Sequence, residues 1–540
     1  MKDQTALSLA KALFDAKFYA RTYPDACRGI KDLADDYFSV GWRQGRNPSA
    51  NFDTRYYLEM NPAVRKSGEC PLVHYARKGA ARGLHPSPKP GAASVGAGKS
   101  DNGTSRTVVD PVRMAINNAV SPRQRAKHWA NSPTTALANR VSLRDALAEF
   151  TIDMHQGFIL AFSHDDYAKV DGGIQNCVGD EEAEFRRAGW AYIHICPAQP
   201  LPMLSDETSA TDFLVSVRIQ RKLIGVLTLE EVVTEIAESR NKARKLNLVV
   251  HHLLGLSPEL IVETADRLSP DEVIFWVHDF FTLCSNYALL RNDVAFCHAP
   301  SVDSAVCSIC CYGGERQRHT SRVRKAFESM LPTVLAPSET ALSFWKEHHD
   351  MPFKAATVVP HGELVFDQAT TIRDHQSLRI GFLGVPFYNK GWHTFEALAT
   401  KFASDHRYQF FHLGVSQVKS AHNIEFINVS IKEQGRNAMT RAVADLRLDV
   451  VVNWSLCYET FSFTTHEAIA GGAFVIARKG AGNIWPAVRR MGSDKGCAID
   501  SEEELFALFA GDTLDKLTRR KRFAELATNS ATATYLLKDI

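Results

Sequence analysis

The sequence predicts an α/β protein with doubly wound parallel sheets, preceded by a small, mostly helical module of two repeats. Three observations carry that prediction. Apolar strand-like runs alternate with amphipathic helical runs from residue 151 onward. Several of those strands run into glycine or histidine, which leaves a strand–helix junction open to a ligand. Near the N-terminus, Phe14/Phe52, Pro24/Pro62, Gly41/Gly79, Gly45/Gly83 and Pro48/Pro86 recur in register at an offset of 38.

The repeat defines a first module at residues 1–88. Phe14, Phe18 and Tyr19, then Phe52, Tyr56 and Tyr57, are spaced to form one aromatic helix face, which Pro24 and Pro62 end or redirect. A second helix in each unit is expected to stop at Gly41 or Gly79. Neither unit can bury its aromatic face alone, so the pair should pack together or against the rest of the chain as a docking or packing module. The sharper alternative has exposed tyrosines and the tryptophan binding carbohydrate. Residues 86–106 (PSPKPGAASVGAGKSDNGTSR) read as a flexible tether. Residues 107–150 read as short helices, so 89–150 forms a linker region.

A first α/β domain is expected over 151–370. Gly157–Phe162, Leu246–His252 and Val273–Val277 are strand-like, the later two running into His251-His252 and His278-Asp279. Gly172 and Gly173 precede a helical run from Ile174 to Ala188, where glycine lets the backbone approach a ligand closely. A strand-end histidine taken alone is more simply a structural residue. Val358–Gly362 reads as a short closing strand, with an interdomain hinge at 362–376.

A second domain is expected over 371–515. Ser377–Gly384, Tyr408–Leu413 and Asp449–Trp454 are apolar strands, and Trp392–Lys401 has helical periodicity. Glu459 and Glu467 then stand eight apart, where a polar loop enters a helix that Gly471-Gly472 end ahead of the strand Ala473–Ala477. Both carboxylates can face the helix N-terminus, whose unpaired N–H groups and dipole seat a diphosphate. A sugar nucleotide has that layout: sugar, diphosphate, ribose. Chance spacing is the plain alternative for two glutamates by themselves.

The segment 377–490 resembles the donor-binding domain of retaining GT-B glycosyltransferases, particularly family 4. The matching pieces are Phe382 to Val385 (FLGV), Lys390-Gly391, the pair Glu459 and Glu467, and Glu467 to Arg478 (EAIAGGAFVIAR). The resemblance implies a GT-B fold of two Rossmann-like domains facing a cleft, with acceptor bound by 151–370 and nucleotide sugar by 371–515. It also implies a C-terminal helix at 516–540 that crosses back to the first domain. Glu459 would hydrogen-bond the donor sugar near the reacting carbon, backbone amides at Phe463 and Thr464 would hold the diphosphate, and Glu467 would grip the ribose. Gly384 and Gly391 would line the donor site, and Lys390 would neutralise charge on the departing diphosphate. Gly172 and Gly173 would form the acceptor-side loop, and His278 would reach the transferred sugar. Repeats like the N-terminal pair accompany bacterial polysaccharide glycosyltransferases.

The reaction so implied moves a sugar from a nucleotide diphosphate to a growing surface polysaccharide or lipid-linked glycan, with retained configuration and no required cofactor. Two positions depart from the family pattern. Val385 stands where arginine is common, leaving Arg379, Arg478 or Lys479 as substitutes, and Ser462 stands where glycine is usual. These departures favour a rival reading, a catalytically degenerate GT-B scaffold in a polysaccharide-assembly complex. A GT-B enzyme of another type, such as a nucleotide-sugar epimerase, is the third reading.

Composition narrows the partners. A charged fraction of 23% with net charge +2 gives no support for nucleic-acid binding. The N-terminal run is broken by charges, and no stretch approaches the ~18 apolar residues of a membrane helix, so the expected location is cytoplasmic. Eleven cysteines then read as reduced thiols or metal ligands. Cys284, Cys297, Cys307 and Cys310 cluster after His278, and Cys307-x2-Cys310 has the bite of a zinc knuckle. A structural zinc and simply buried thiols are the two readings. Downstream, Arg316, Arg318, Arg322, Arg324 and Lys325 crowd a predicted helix with Val323, Phe327 and Met330 on its apolar side. That helix is either a solvated basic face or a contact for anionic headgroups at the inner face of the membrane.

Overall fold

The computed structural model describes the chain except residues 1–6, 8–9, 12, 24–31, 83, 87–106, 110–119, 128–136, 152–155, 171, 240–243, 419–422 and 539–540. It divides into two units, Met1–Gly96 and Ala97–Ile540.

In the first unit the repeats share their local chemistry. Helices Ala16–Thr22 and Thr54–Met60 start behind Asp15 and Asp53, whose carboxylates accept from the N–H groups of Phe18 and Tyr56. Helices Leu33–Asp36 and Pro71–His74 each run on into one π turn, Tyr37–Gly41 and Tyr75–Gly79. Glycine is required at both ends, because a Cβ on Gly41 or Gly79 would lie 2.2 Å from the hydroxyl oxygen of Tyr19 or Tyr57. Tyr19, Tyr37, Trp42, Phe52, Tyr57 and Leu72 form one core to which both repeats contribute. The alternative of exposed aromatics for sugar binding does not hold for these rings: Tyr19, Tyr37 and Tyr57 have no exposed surface and Trp42 is buried. Pro62 opens the next helix, Pro62–Ser67, at its first turn. Pro24, Gly83 and residues 87–106 of the tether lie outside the described residues.

Two sheets organise the second unit. The first contains Gly157–Phe162 (β1), Trp190–Pro197 (β2), Leu214–Ile219 (β3), Lys222–Thr228 (β4), Lys245–Val250 (β5), Glu272–Trp276 (β6), Thr333–Ala336 (β7) and Ala355–Val358 (β8), in the order β8-β7-β6-β5-β1-β2-β3-β4. Its pairings are parallel except β2–β3 and β3–β4, which are antiparallel. The second contains Leu378–Leu383 (β9), Tyr408–Gly414 (β10), Ile424–Asn428 (β11), Val450–Asn453 (β12), Phe474–Arg478 (β13) and Gly496–Ile499 (β14). It is wholly parallel in the order β11-β10-β9-β12-β13-β14. Both sheets are covered on both faces, which is why their strands read as nearly unbroken apolar runs. The fold is thus two doubly wound α/β domains.

This topology fixes where ligands go. In each sheet the strand order reverses beside its first strand, between β1 and β5 and between β9 and β12, and the crevice opens beyond the carboxyl ends of those strands.

Three local expectations are corrected. Residues 107–150 are not helical throughout: Thr107–Val109 pairs in parallel with Ser416–Val418, ahead of helices Pro122–Ala126 and Arg140–Thr151. The closing strand is not 358–362. Instead β8 ends at Val358, and Gly362–Phe366 pairs antiparallel with Ala524–Thr528, while His361 lies between the two strands. The tail is not one helix, because Arg520–Lys521 and Ala524–Thr528 pair back onto Thr371–Ile372 and Gly362–Phe366. Among the described residues beyond Leu517 only Ala531–Leu536 is helical, and it docks on the first domain: Trp276 Nε1 donates to Thr532 Oγ1 at 2.8 Å, and the Thr532 N–H donates to Glu181 Oε2 at 3.0 Å.

Candidate functional site

The crevice of the second sheet gathers the segments that the sequence singled out. β9 ends at Gly384, whose positive φ of 93° favours glycine and whose Cβ would lie 3.6 Å from Thr464 Cγ2. The chain then turns through Tyr388–Lys390 to Gly391, at φ 80°. A Cβ on Gly391 would meet the Trp454 carbonyl oxygen at 2.1 Å, so glycine lets this turn press onto the end of β12. That approach sets Lys390 Nζ 2.6 Å from Glu459 Oε1. The same oxygen accepts from Ser455 Oγ at 2.8 Å and, more distantly, from Cys457 Sγ at 3.5 Å. Burial pushes the Glu459 pKa up, but Lys390, Ser455 and Cys457 outweigh it and hold the carboxyl below its ordinary value.

Helix Phe463–Ala470 begins at Ser462, which takes the left-handed conformation at φ 66° and ψ 82°. That conformation explains why glycine suits this position better. Ser462 Oγ lies 3.1 Å from Asn453 Nδ2 and 2.9 Å from Thr465 Oγ1, which ties the helix start to the end of β12. Glu467 sits inside the helix, 3% exposed, and its Oε1 has no hydrogen-bond partner. Burial raises its pKa to about 7, with Arg436 opposing.

Arg436 is the residue that sequence reasoning missed. Its guanidinium lies 4.7 Å over the Phe463 ring, with Nε 3.4 Å from Asp180 Oδ2, and both terminal nitrogens are buried without a partner. A positive charge with free N–H groups therefore stands beside the helix start. The three substitutes named from sequence are engaged elsewhere. Arg379 Nη1 donates to the Leu446 carbonyl, Arg478 Nε to the Ser455 carbonyl, and Lys479 pairs with Asp500.

The first domain closes the other side. A Cβ on Gly173 would lie 3.5 Å from the Phe463 ring, so this glycine lies against the start of helix Phe463–Ala470. Beside it, a Cβ on Gly172 would meet Gln175 Oε1 at 2.2 Å. Thr460 Oγ1 donates to the His278 carbonyl and Ser338 Oγ to the Thr460 carbonyl, each at 2.6 Å. Tyr458 stacks on Phe344 at 4.5 Å. The His278 ring itself points inward, into a buried file. His251 Nε2 lies 2.8 Å from Glu181 Oε1, His251 Nδ1 lies 3.0 Å from His278 Nε2, and His278 Nδ1 lies 3.3 Å from His361 Nε2. One consistent proton assignment has each ring donating toward Glu181. Burial, then repulsion from His361 and His251, drives the His278 pKa well below its ordinary value, so the ring is neutral. Both ring nitrogens being engaged, His278 meets Thr460 through its backbone carbonyl. Strand adjacency makes this file, and no local motif announces it.

The basic helix, Gly313–Met330, does not present a free cationic face. Arg316 is buried, Arg318 pairs with Asp206 at 2.9 Å, Arg322 with Glu259 at 2.6 Å, and Arg324 with Asp350 at 2.6 Å and Glu328 at 2.9 Å. Lys325 is exposed. Among the described residues no helix is long and apolar enough to cross a membrane.

No family model and no curated protein matches the chain. Among solved structures it is similar to Anabaena Alr3699/HepE in complex with UDP-glucose, at 12% identity over 67% of this chain and 92% of that one, TM-score 0.40. It is similar to WaaG, a glycosyltransferase involved in lipopolysaccharide biosynthesis, at 13% identity over 67% and 94%, TM-score 0.40. It is likewise similar to an E. coli structure titled as trehalose-6-phosphate bound with UDP-2-fluoro glucose, at 10% identity over 66% and 90%, TM-score 0.39.

Proposed function

We propose that this chain is a retaining GT-B glycosyltransferase that moves a sugar from a nucleotide diphosphate to a bacterial surface polysaccharide or lipid-linked glycan. The observation that carries the reading is the unsatisfied pair at the donor helix. Glu467 buries a carboxylate oxygen without a donor, and Arg436 buries two guanidinium nitrogens without an acceptor. Unpaired buried polar groups cost free energy unless a ligand completes them. A ribose diphosphate supplies what is missing, hydroxyl donors for Glu467 and anionic oxygens for Arg436 and the helix amides.

In the reaction, the bond between the sugar's anomeric carbon and the diphosphate oxygen breaks while an acceptor hydroxyl bonds to that carbon. Lys390 and Arg436 offset charge developing on the diphosphate, and the amides of Phe463 and Thr464 hold it. Glu459 orients the sugar hydroxyls. The acceptor proton passes to the departing diphosphate, so no protein nucleophile and no cofactor is required. The sugar-facing part assigned to His278 requires its ring to leave the histidine file once donor binds. A lipid-linked acceptor would bring the protein to the inner face of the membrane, with Lys325 as the free cation of the 316–325 segment.

The scaffold reading is favoured by two departures, Val385 in place of a phosphate-binding arginine and Ser462 in place of glycine. Thermal shift of the purified protein with UDP, GDP, dTDP, ADP and their sugar conjugates separates the two. Stabilisation by one family of nucleotides that disappears in Glu467→Ala supports the transferase. No shift with any of them transfers the weight to the scaffold.

A further inference from the structure

The segment between His278 and helix Gly313–Met330 carries chemistry that the transfer reaction does not use. Its regular structure is limited to two-residue strands at Leu290–Arg291 and Ala295–Phe296 and a four-residue helix at Ala305–Ser308. Five non-glycine residues, Leu289, Asn292, Asp293, His298 and Ala299, take positive φ. Such a segment holds its shape only where the surroundings over-determine it.

Cys284, Cys297, Cys307 and Cys310, spread over this segment, line one cavity of about 20 Å³ together with Arg316. That volume holds a single water-sized occupant. Cys284 and Cys307 are buried, and Cys297 and Cys310 half-buried. Arg316 is a second, independent sign. It is 4% exposed, its Nε donates to the Leu283 carbonyl at 3.0 Å, and its Nη1 lies 2.9 Å from Cys307 Sγ. Among the described residues no carboxylate pairs with it. A buried guanidinium needs a compensating negative charge, and here the groups facing it are cysteine sulfurs.

We infer that Cys284, Cys297, Cys307 and Cys310 bind one structural zinc ion, with Arg316 as the outer-shell cation that hydrogen-bonds a ligand thiolate. Four thiols lose four protons on binding, so the site carries two negative charges, and Arg316 offsets one of them. These sulfurs do not all lie within 4.8 Å of one another, and the ion would draw them in to about 2.3 Å of itself. The group whose ligand atoms do lie within 4.8 Å of one another, Cys177, His278 and His361, is less suited, because both His278 nitrogens already serve the histidine file. The zinc would staple the segment to the cleft wall: Phe296 stacks on Tyr458, next to Glu459, at 5.4 Å, and Tyr287 meets His252.

The test is metal content of the full-length protein, purified with reductant and without chelator. The expected result is about one zinc per chain, falling to about a tenth or less in the Cys307→Ser/Cys310→Ser double variant. If the variant does not fold, wild-type protein exchanged with cobalt decides, through the ligand-field bands of a tetrahedral cobalt thiolate. Little zinc in wild type both as purified and after zinc loading, absent cobalt thiolate bands, iron–sulfur absorbance, or a Cys307–Cys310 disulfide by mass spectrometry would each overturn the inference.

Discussion

Lys390 Nζ lies 2.6 Å from Glu459 Oε1, so the cleft holds this cation and this carboxylate neutralised by each other. The Lys390 side chain is 42% exposed, and a pair so placed adds little to folding. Under the proposed function its consequence is catalytic, because an incoming diphosphate would take over Lys390 and free Glu459 for the sugar. Glu459→Ala is expected to lower kcat by about a hundredfold while the donor KM changes little, as for an interaction made mainly in the transition state. Steady-state kinetics with the donor found by thermal shift checks this, and equal turnover in wild type and variant would sink the assignment.

Glu467 makes the protein's stability depend on pH in a definite direction. Its pKa is raised by burial to about 7, so the folded state holds this proton more tightly than the unfolded chain does. The resulting stability is fully present below about 4.5 and is lost as pH rises through about 7. Over that window the loss amounts to about 3 kcal/mol. Glu467→Gln should therefore melt higher than wild type at pH 8, with the advantage vanishing at pH 4.5, while nucleotide binding weakens. A variant no more stable than wild type at pH 8 would show that the carboxylate finds a partner in the free protein.

Arg436 predicts a difference between nucleotide and nucleoside. Arg436→Gln should weaken binding of the nucleoside diphosphate about tenfold or more, the worth of a charge-assisted hydrogen bond. It should leave the weaker binding of the matching nucleoside unchanged. Lys479→Ala, which breaks only the exposed pair with Asp500, should change neither. Isothermal titration of both ligands decides, and equal losses for nucleoside and diphosphate would remove Arg436 from the phosphate site.

What was legible in the sequence was what local spacing encodes. Gly384, Lys390-Gly391, Glu459 and Glu467 each sit at a fixed distance from the end of a parallel strand, and the sheet order brings those ends to one crevice. Arg436 was not legible, because it comes from the connection after β11, where no periodicity or motif marks it, and only tertiary packing brings it over Phe463. The histidine file was hidden for the same reason: Glu181, His251, His278 and His361 belong to separate elements. The aromatic face of the repeats was visible as spacing, but its burial depends on Gly41 and Gly79 admitting the Tyr19 and Tyr57 hydroxyls, a packing fact. The tail misled because its strands are too short for alternation to show, and pairing with Gly362–Phe366 decides them.

Gly482 holds the backbone of Glu459, and that contact gives the sharpest test of geometry against charge. Gly482 has φ 64°, and a Cβ there would lie 2.3 Å from the Glu459 carbonyl oxygen and 2.6 Å from its nitrogen. The same stretch is pinned by the Asn483 N–H donating to the Glu459 carbonyl at 2.7 Å. Gly482→Ala cannot keep both the left-handed backbone and this contact, so the loop that carries Glu459 must shift. The carboxylate and Lys390 remain chemically intact, yet a displacement of about 1 Å in a positioning element can cost about a hundredfold in rate. The expected outcome is a large fall in kcat with nucleotide affinity retained, because Glu467 and Arg436 lie on other segments. A variant as active as wild type would mean that Glu459 does not need its present position, and its part in the transfer would have to be given up.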